Sequence, residues 1–170
     1  LEPKGIRGPY ALALVYEARR DYGRVVEVLT PIAASADLDE RVRSSRAFIG
    51  LLARLGYAHQ ELGEYDRAIA TFETARALAP ADGLADLYLA QAQIAAGRYD
   101  AAVEIARKGR ALRPDDNRFV RLEAQALREA GRPEEAVRLL RVEAGKPARD
   151  SAVLLALATA SLLSACGDDS

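Results

Sequence analysis

A Gly-x-x-x-x-Ala frame recurs at a fixed interval: Gly63 with Ala68, Gly97 with Ala102 and Gly131 with Ala136, 34 residues apart each time. Pro80 and Pro114 keep the same spacing. So do the segments Gly-Glu-Tyr-Asp-Arg-Ala from Gly63, Gly-Arg-Tyr-Asp-Ala-Ala from Gly97 and Gly-Arg-Pro-Glu-Glu-Ala from Gly131. Three markers in one register mean that one supersecondary unit is built repeatedly. A unit this short cannot bury its own apolar face, so each must stack on the next.

Residues 49–82 show what the unit is. Leu52, Leu55 and Gly56, then Ala68, Phe72 and Ala75, fall at three- and four-residue spacings, which gives two consecutive helices one apolar stripe each. Gly63 lies where the chain must reverse, and glycine enters a left-handed cap without strain. Pro80 stops the second helix because it has no amide to donate. In the fourth unit Pro133 falls just inside a helix start, followed by Glu134 and Glu135 in the first turn, where a missing amide is harmless and negative charge suits the helix dipole. The small Gly56, Ala68 and Ala75 belong where backbones approach closely, with Leu52, Leu55 and Phe72 filling the space beside them.

The set Leu52, Leu55, Gly56, Ala68, Phe72, Ala75 and Pro80 resembles the tetratricopeptide repeat, with His59 standing where that repeat usually has tyrosine. The pattern thins in the third unit, at Asp86, Gln93 and Gly109, and in the fourth, at Glu123 and Glu143. The resemblance, to arrays of the bacterial type, implies an all-α, right-handed superhelical α-solenoid of antiparallel helix hairpins. About four hairpins and a C-terminal single helix are expected within one domain, 1–170, with units near 8–36, 38–82, 83–116, 117–149 and 150–166.

Two departures from the period carry expectations of their own. The stretch from Tyr22 aligns with that from Tyr65 at an offset of 43 residues, so nine extra residues lie around 37–45. Asp37 then reads as the cap of a long first helix in unit two, reaching about Leu62 and protruding by roughly two turns. Downstream, 151–166 is an apolar helical run ending at Gly167, in near-register with the repeat. It reads as the first helix of a fifth unit whose partner helix is missing, and the absence of any methionine points the same way, to a piece of a longer chain.

Composition narrows the function. With 50% hydrophobic and 29% charged residues the chain suits folding in water, cytoplasmic or periplasmic alike. Basic and acidic side chains nearly balance, 24 against 25, so no global field draws nucleic acid or an anionic membrane. The balance is uneven: 105–149 holds 12 basic and 7 acidic residues, 1–104 holds 12 and 15. An acidic ligand should prefer the C-terminal half. One cysteine and one histidine assemble neither a disulfide nor an ordinary metal site, and no catalytic constellation can be built around His59, which reads as a helix-packing imidazole. Asp115-Asp116 and Glu134-Glu135 sit at helix starts, where capping accounts for them. The segment Leu163-Ser164-Ala165-Cys166 resembles a lipoprotein cleavage signal but lies at the wrong end of the chain and in phase with the repeat; its run is too short to span a bilayer.

A non-enzymatic protein-interaction scaffold without cofactor is therefore expected, holding a partner protein or peptide, acidic by preference, with neither nucleic acid nor membrane as partner. The family resemblance places the first helix of each hairpin on the concave side. It then presents Tyr10, Leu14 and Glu17 from unit one; Ala53, Tyr57, Gln60 and Glu61 from unit two; Leu84, Leu87, Gln91 and Ile94 from unit three; Arg118, Arg121, Gln125 and Arg128 from unit four. The groove residues singled out are Tyr10, Tyr57, Gln60, Leu87, Gln91, Arg118, Arg121, Gln125 and Arg128. Members of the family that clamp a chaperone's C-terminal carboxylate use lysine, asparagine and arginine at set places of three units. Those places here hold Tyr10, Leu14, Arg54, Leu84 and Tyr88, or one unit on Ala53, Tyr57, Tyr88, Arg118 and Leu122, so that clamp is not expected. The alternatives are a regulatory or substrate-presenting arm of an enzyme whose catalytic domain lies elsewhere, and a homodimer formed through the 151–166 helix.

Overall fold

The computed structural model describes residues 6–81 and 83–145 together with Ala156 and Thr159. Among them there are helices and no strands: α1 (Arg7–Ala18), α2 (Tyr22–Ala33), α3 (Glu40–Arg43), α4 (Arg46–Glu61), α5 (Tyr65–Leu78), α6 (Leu84–Ala95), α7 (Tyr99–Leu112), α8 (Asn117–Glu129) and α9 (Pro133–Ala144). The chain forms two compact units, Leu1–Ala92 and Gln93–Ser170.

The turns follow the glycine frame. Gly63 has φ +75°; its amide donates to the Gln60 carbonyl at 3.0 Å, and the Glu64 amide to the His59 carbonyl at 2.8 Å. Gly97 and Gly131 repeat this at φ +74°, with Arg98 reaching back to Gln93 and Arg132 to Leu127. These bonds satisfy carbonyls that a helix end would otherwise leave open. The first reversal makes the same bonds without glycine: Arg20 holds φ +58° while Asp21 donates to Tyr16 at 2.9 Å. In the 43-residue alignment, Arg20 stands where Gly63 stands.

The long protruding helix expected from Asp37 is not formed. α3 ends at Arg43 and a separate helix, α4, starts at Arg46. The reason is local hydrogen bonding, since serine and aspartate side chains compete with the helical ladder. Asp39, not Asp37, caps α3 by accepting the Val42 amide at 2.8 Å. Ser44 Oγ donates to the Glu40 carbonyl at 2.7 Å. Ser45 Oγ donates to Val42 at 2.6 Å and accepts the Phe48 amide as the cap of α4. Arg43 folds the insertion back, donating to the Leu38 and Ser35 carbonyls.

In the first unit Ala13, Leu29, Leu51 and Ala58 are fully buried, with Val25, Phe48, Leu52 and Leu55 around them. Gly56 is the point of closest approach: a Cβ there would stand 2.5 Å from the Phe72 ring. In the second unit Val120, Leu127, Val137 and Leu140 pack with Ala102, Ala126 and Ala136. The frame alanines Ala68, Ala102 and Ala136 are all completely buried, as hairpin stacking requires.

Three of the positions at which the family pattern thins, Gly109, Glu123 and Glu143, have physical partners, whereas the buried Gln93 Oε1 accepts no hydrogen bond among the described residues. Glu123 and Glu143 are buried, 3% and 6% exposed. Arg110 reaches Glu123 with Nε at 2.8 Å and Glu143 with Nη1 at 3.7 Å, while Arg107 Nε stands 3.3 Å from Glu123. Buried carboxylates need such partners to offset desolvation. Gly109 makes room for Phe119, whose ring would meet a Cβ there at 2.1 Å. His59 is buried, its Nδ1 2.6 Å from Glu64 Oε2; that bond, with help from Arg67, holds the Glu64 carboxyl below the usual carboxylate range.

Among the described residues no helix is long and apolar enough to cross a membrane. Of the fifth-unit helix expected at 150–166 only Ala156 and Thr159 are among the described residues; the rest of it, with Cys166 and the homodimer surface assigned to it, lies outside them.

Candidate functional site

In the first unit α1, α4 and α6 line two adjoining hollows. One, of about 300 Å³, is bounded by Ile49 and Ala53 of α4, Phe72 and Ala75 of α5, and Leu84, Ala85 and Tyr88 of α6, with Arg46 also on its lining. Its walls are mostly apolar, and Phe72 and Tyr88 stack along one side with centroids 5.4 Å apart. The second, of about 350 Å³, shares Gly50, Ala53, Leu84 and Tyr88 with the first and adds Tyr10, Glu17, Arg54 and Tyr57.

Polar contacts fix that second hollow. Arg54 Nε donates to the Tyr10 hydroxyl at 2.9 Å, its Nη1 to the Glu17 carboxylate, and its guanidinium carbon lies 5.1 Å from the Tyr10 ring centroid. Burial pulls the guanidinium pKa down, but the bonds to Tyr10 and Glu17 outweigh it and raise it above the ordinary value. Arg54 therefore stays charged while committed to α1. Tyr57 meets Tyr22 edge-on, centroids 5.9 Å apart. Burial, the Tyr22 hydroxyl and the Glu61 charge push its phenol up to about 12, so it meets a ligand as a neutral hydroxyl.

Tyr10 and Tyr57 thus sit together on one hollow. Gln60 is half-buried and Gln91 exposed, and neither lines the two hollows. Leu87 is only 6% exposed and offers little to a ligand; its neighbour Tyr88 lines both hollows instead. Tyr88 stands one 34-residue step from Arg54, so one place in the frame supplies lining residues from two successive first helices. That coincidence is readable in the sequence. The openness of the hollows beside it is not.

In the second unit the predicted residues lie along α8. Arg118 is held by Asp116 through Nε at 2.9 Å and Nη2 at 2.8 Å, which keeps the Asp116 carboxyl below its usual range. Arg128 Nη2 is 2.6 Å from Glu129. Arg121 and Gln125 are exposed, and among the described residues Arg121 has no ion-pair partner. It is the cation of this set with its charge uncommitted.

Residues 59–126 match the family model described as tetratricopeptide repeat. Residues 59–126 carry tetratricopeptide repeats. Solved structures with the same tetratricopeptide architecture agree in fold. A kinesin light chain protein with nearly identical TPR-like repeats from Podosopora anserina is 23% identical, with a TM-score of 0.72 over 96% of this chain and 88% of that one. MamA from Desulfovibrio magneticus RS-1 is 16% identical, with a TM-score of 0.71 over 96% and 88%. MamA from AMB-1 is 21% identical, with a TM-score of 0.64 over 90% and 85%. At these identities the likeness is one of fold. No curated protein matches the chain. The fold is an all-α solenoid of tetratricopeptide hairpins, and the glycine turns and buried frame alanines are its local signature here.

Proposed function

We propose that the chain is a protein-interaction scaffold that holds a partner peptide or protein on its first-helix faces. Tyr10, Tyr57, Gln60 and Gln91 serve in the first unit, and Arg118, Arg121, Gln125 and Arg128 in the second. The observation that carries this reading is the contrast between committed and uncommitted groups. Buried charges such as Glu123 and Glu143 are matched within the fold, whereas the first helices leave open hollows and an unpaired exposed Arg121 facing outward. A partner is what such groups lack.

The excess of basic residues over 105–149 favours an acidic partner on the second unit, with Arg121 as its first contact and Arg118 and Arg128 able to exchange an internal carboxylate for an external one. To test this, a fluorescein-labelled peptide of interspersed glutamate and leucine is titrated against the chain and followed by anisotropy. Arg121→Glu with Arg128→Glu is expected to weaken binding by about tenfold, most of it at low salt, with helical circular dichroism unchanged. Undiminished binding refutes the arginine assignment.

A further inference from the structure

The apolar hollow of the first unit exists because two small residues face it. Ala75 of α5 and Ala85 of α6 both line it. One repeat further on, their frame positions are occupied by Gly109 and Phe119. There the phenyl ring is completely buried and lies directly on the glycine, where no side chain intervenes. The second unit therefore fills with its own aromatic ring a place that the first unit leaves open, and the repeat supplies an internal example of the group that fits.

We propose that the hollow between α4, α5 and α6 is an anchor pocket for an aromatic side chain of a partner protein, with an acidic residue next to it in the partner's sequence. The ring is specified by the walls: Ile49, Ala53, Leu84 and the stacked Phe72 and Tyr88 offer hydrocarbon and aromatic faces to a volume of about 300 Å³, ample for a phenyl or a larger aromatic ring. The acid is specified by Arg46. It lines the same hollow, is exposed, and has no hydrogen-bond or ion-pair partner among the described residues. By contrast, Arg54 in the adjoining hollow is already held by Tyr10 and Glu17 and adds no free charge. An aromatic side chain buries its area here at low entropic cost, and the adjacent carboxylate meets Arg46 at the rim. This deepens the scaffold reading and rests on it.

The test uses acetylated, amidated peptides in a Gly-Ser background carrying Phe-Asp, Ala-Asp or Phe-Lys, titrated into the isotope-labelled chain by NMR. The Phe-Asp peptide is expected to shift the amides of Ala75, Ala85 and Tyr88. The Ala-Asp peptide should bind about tenfold more weakly or worse, and Phe-Lys should bind severalfold more weakly. Ala75→Gly with Ala85→Phe, which copies the Gly109 and Phe119 pair, should fold with unchanged circular dichroism and lose the Phe-Asp peptide by at least about tenfold. Arg46→Glu leaves the pocket intact and should reverse the preference between Phe-Asp and Phe-Lys; it decides the matter even if the filled variant misfolds. Equal binding of Phe-Asp and Ala-Asp, or no binding of either, overturns the pocket. Peptide binding that shifts α8 amides instead overturns the pocket alone and leaves the scaffold reading standing.

Discussion

The two units of this chain solve one packing problem with different chemistry. In the first, the frame positions Leu55 and Ala75 are apolar and buried, and the space beside Ala75 and Ala85 stays open. In the second, the same positions hold Glu123 and Glu143, both buried against Arg110, and Phe119 closes down on Gly109. The backbone hardly distinguishes the two: glycine turns at Gly63, Gly97 and Gly131 differ by only a degree in φ. A repeat frame thus fixes where side chains meet but not what they are, provided that volumes and charges are matched across neighbours. The unit whose buried glutamates are paired has its aromatic ring seated on a glycine, and the other keeps a pocket.

The contrast breaks most severely at Phe119. Phe119→Ala should empty the second unit of its filling ring and cost about 3–5 kcal/mol, read as a shift of the urea midpoint with unchanged slope. A loss below about 1 kcal/mol would mean that the ring is not the keystone its full burial implies. Glu123→Ala probes the ionic half of the contrast. It strands Arg110 between a missing carboxylate and the more distant Glu143, and should cost about 3 kcal/mol by the same measurement. Because Arg110 and Arg107 keep some access to water, Glu123→Leu, which copies Leu55, should recover part of that loss. The smallest effect concerns the turns. Arg20 performs in the first hairpin what glycine performs in the later ones, and its left-handed backbone is strained for a residue with a Cβ. Arg20→Gly should therefore stabilise the chain by about 1 kcal/mol in thermal unfolding; a destabilisation would show that the Arg20 side chain contributes more than its backbone costs.

Much of this fold is legible in the residues. The hairpin turns, the helix stops before Pro80 and Pro114, the start at Pro133 and the burial of Ala68, Ala102 and Ala136 follow from spacing, because backbone restrictions and apolar periodicity act locally and repeat with the frame. The insertion before α4 departs from the expected long helix for an equally local reason. Asp37 and Asp39 are both good caps, and only the set of bonds made by Ser44, Ser45 and Arg43 decides that the helix stops and restarts. At the site the sequence names residues of the first helices, and of these Leu87 is buried, because its apolar character suits a core as well as a groove.

By itself the sequence determined a stack of tetratricopeptide hairpins, the positions of their reversals and the basic bias of the later repeats, since each depends on residues within a few turns of one another or on a simple count. Which groups are spent inside the fold and which remain for a partner was decided only by tertiary structure. Arg54 and Arg46 are eight residues apart on one helix and look alike in the chain; one is held by Tyr10 and Glu17 from α1, and the other faces an unfilled hollow. That difference arises from distances between side chains on separate helices, which no spacing along the chain encodes.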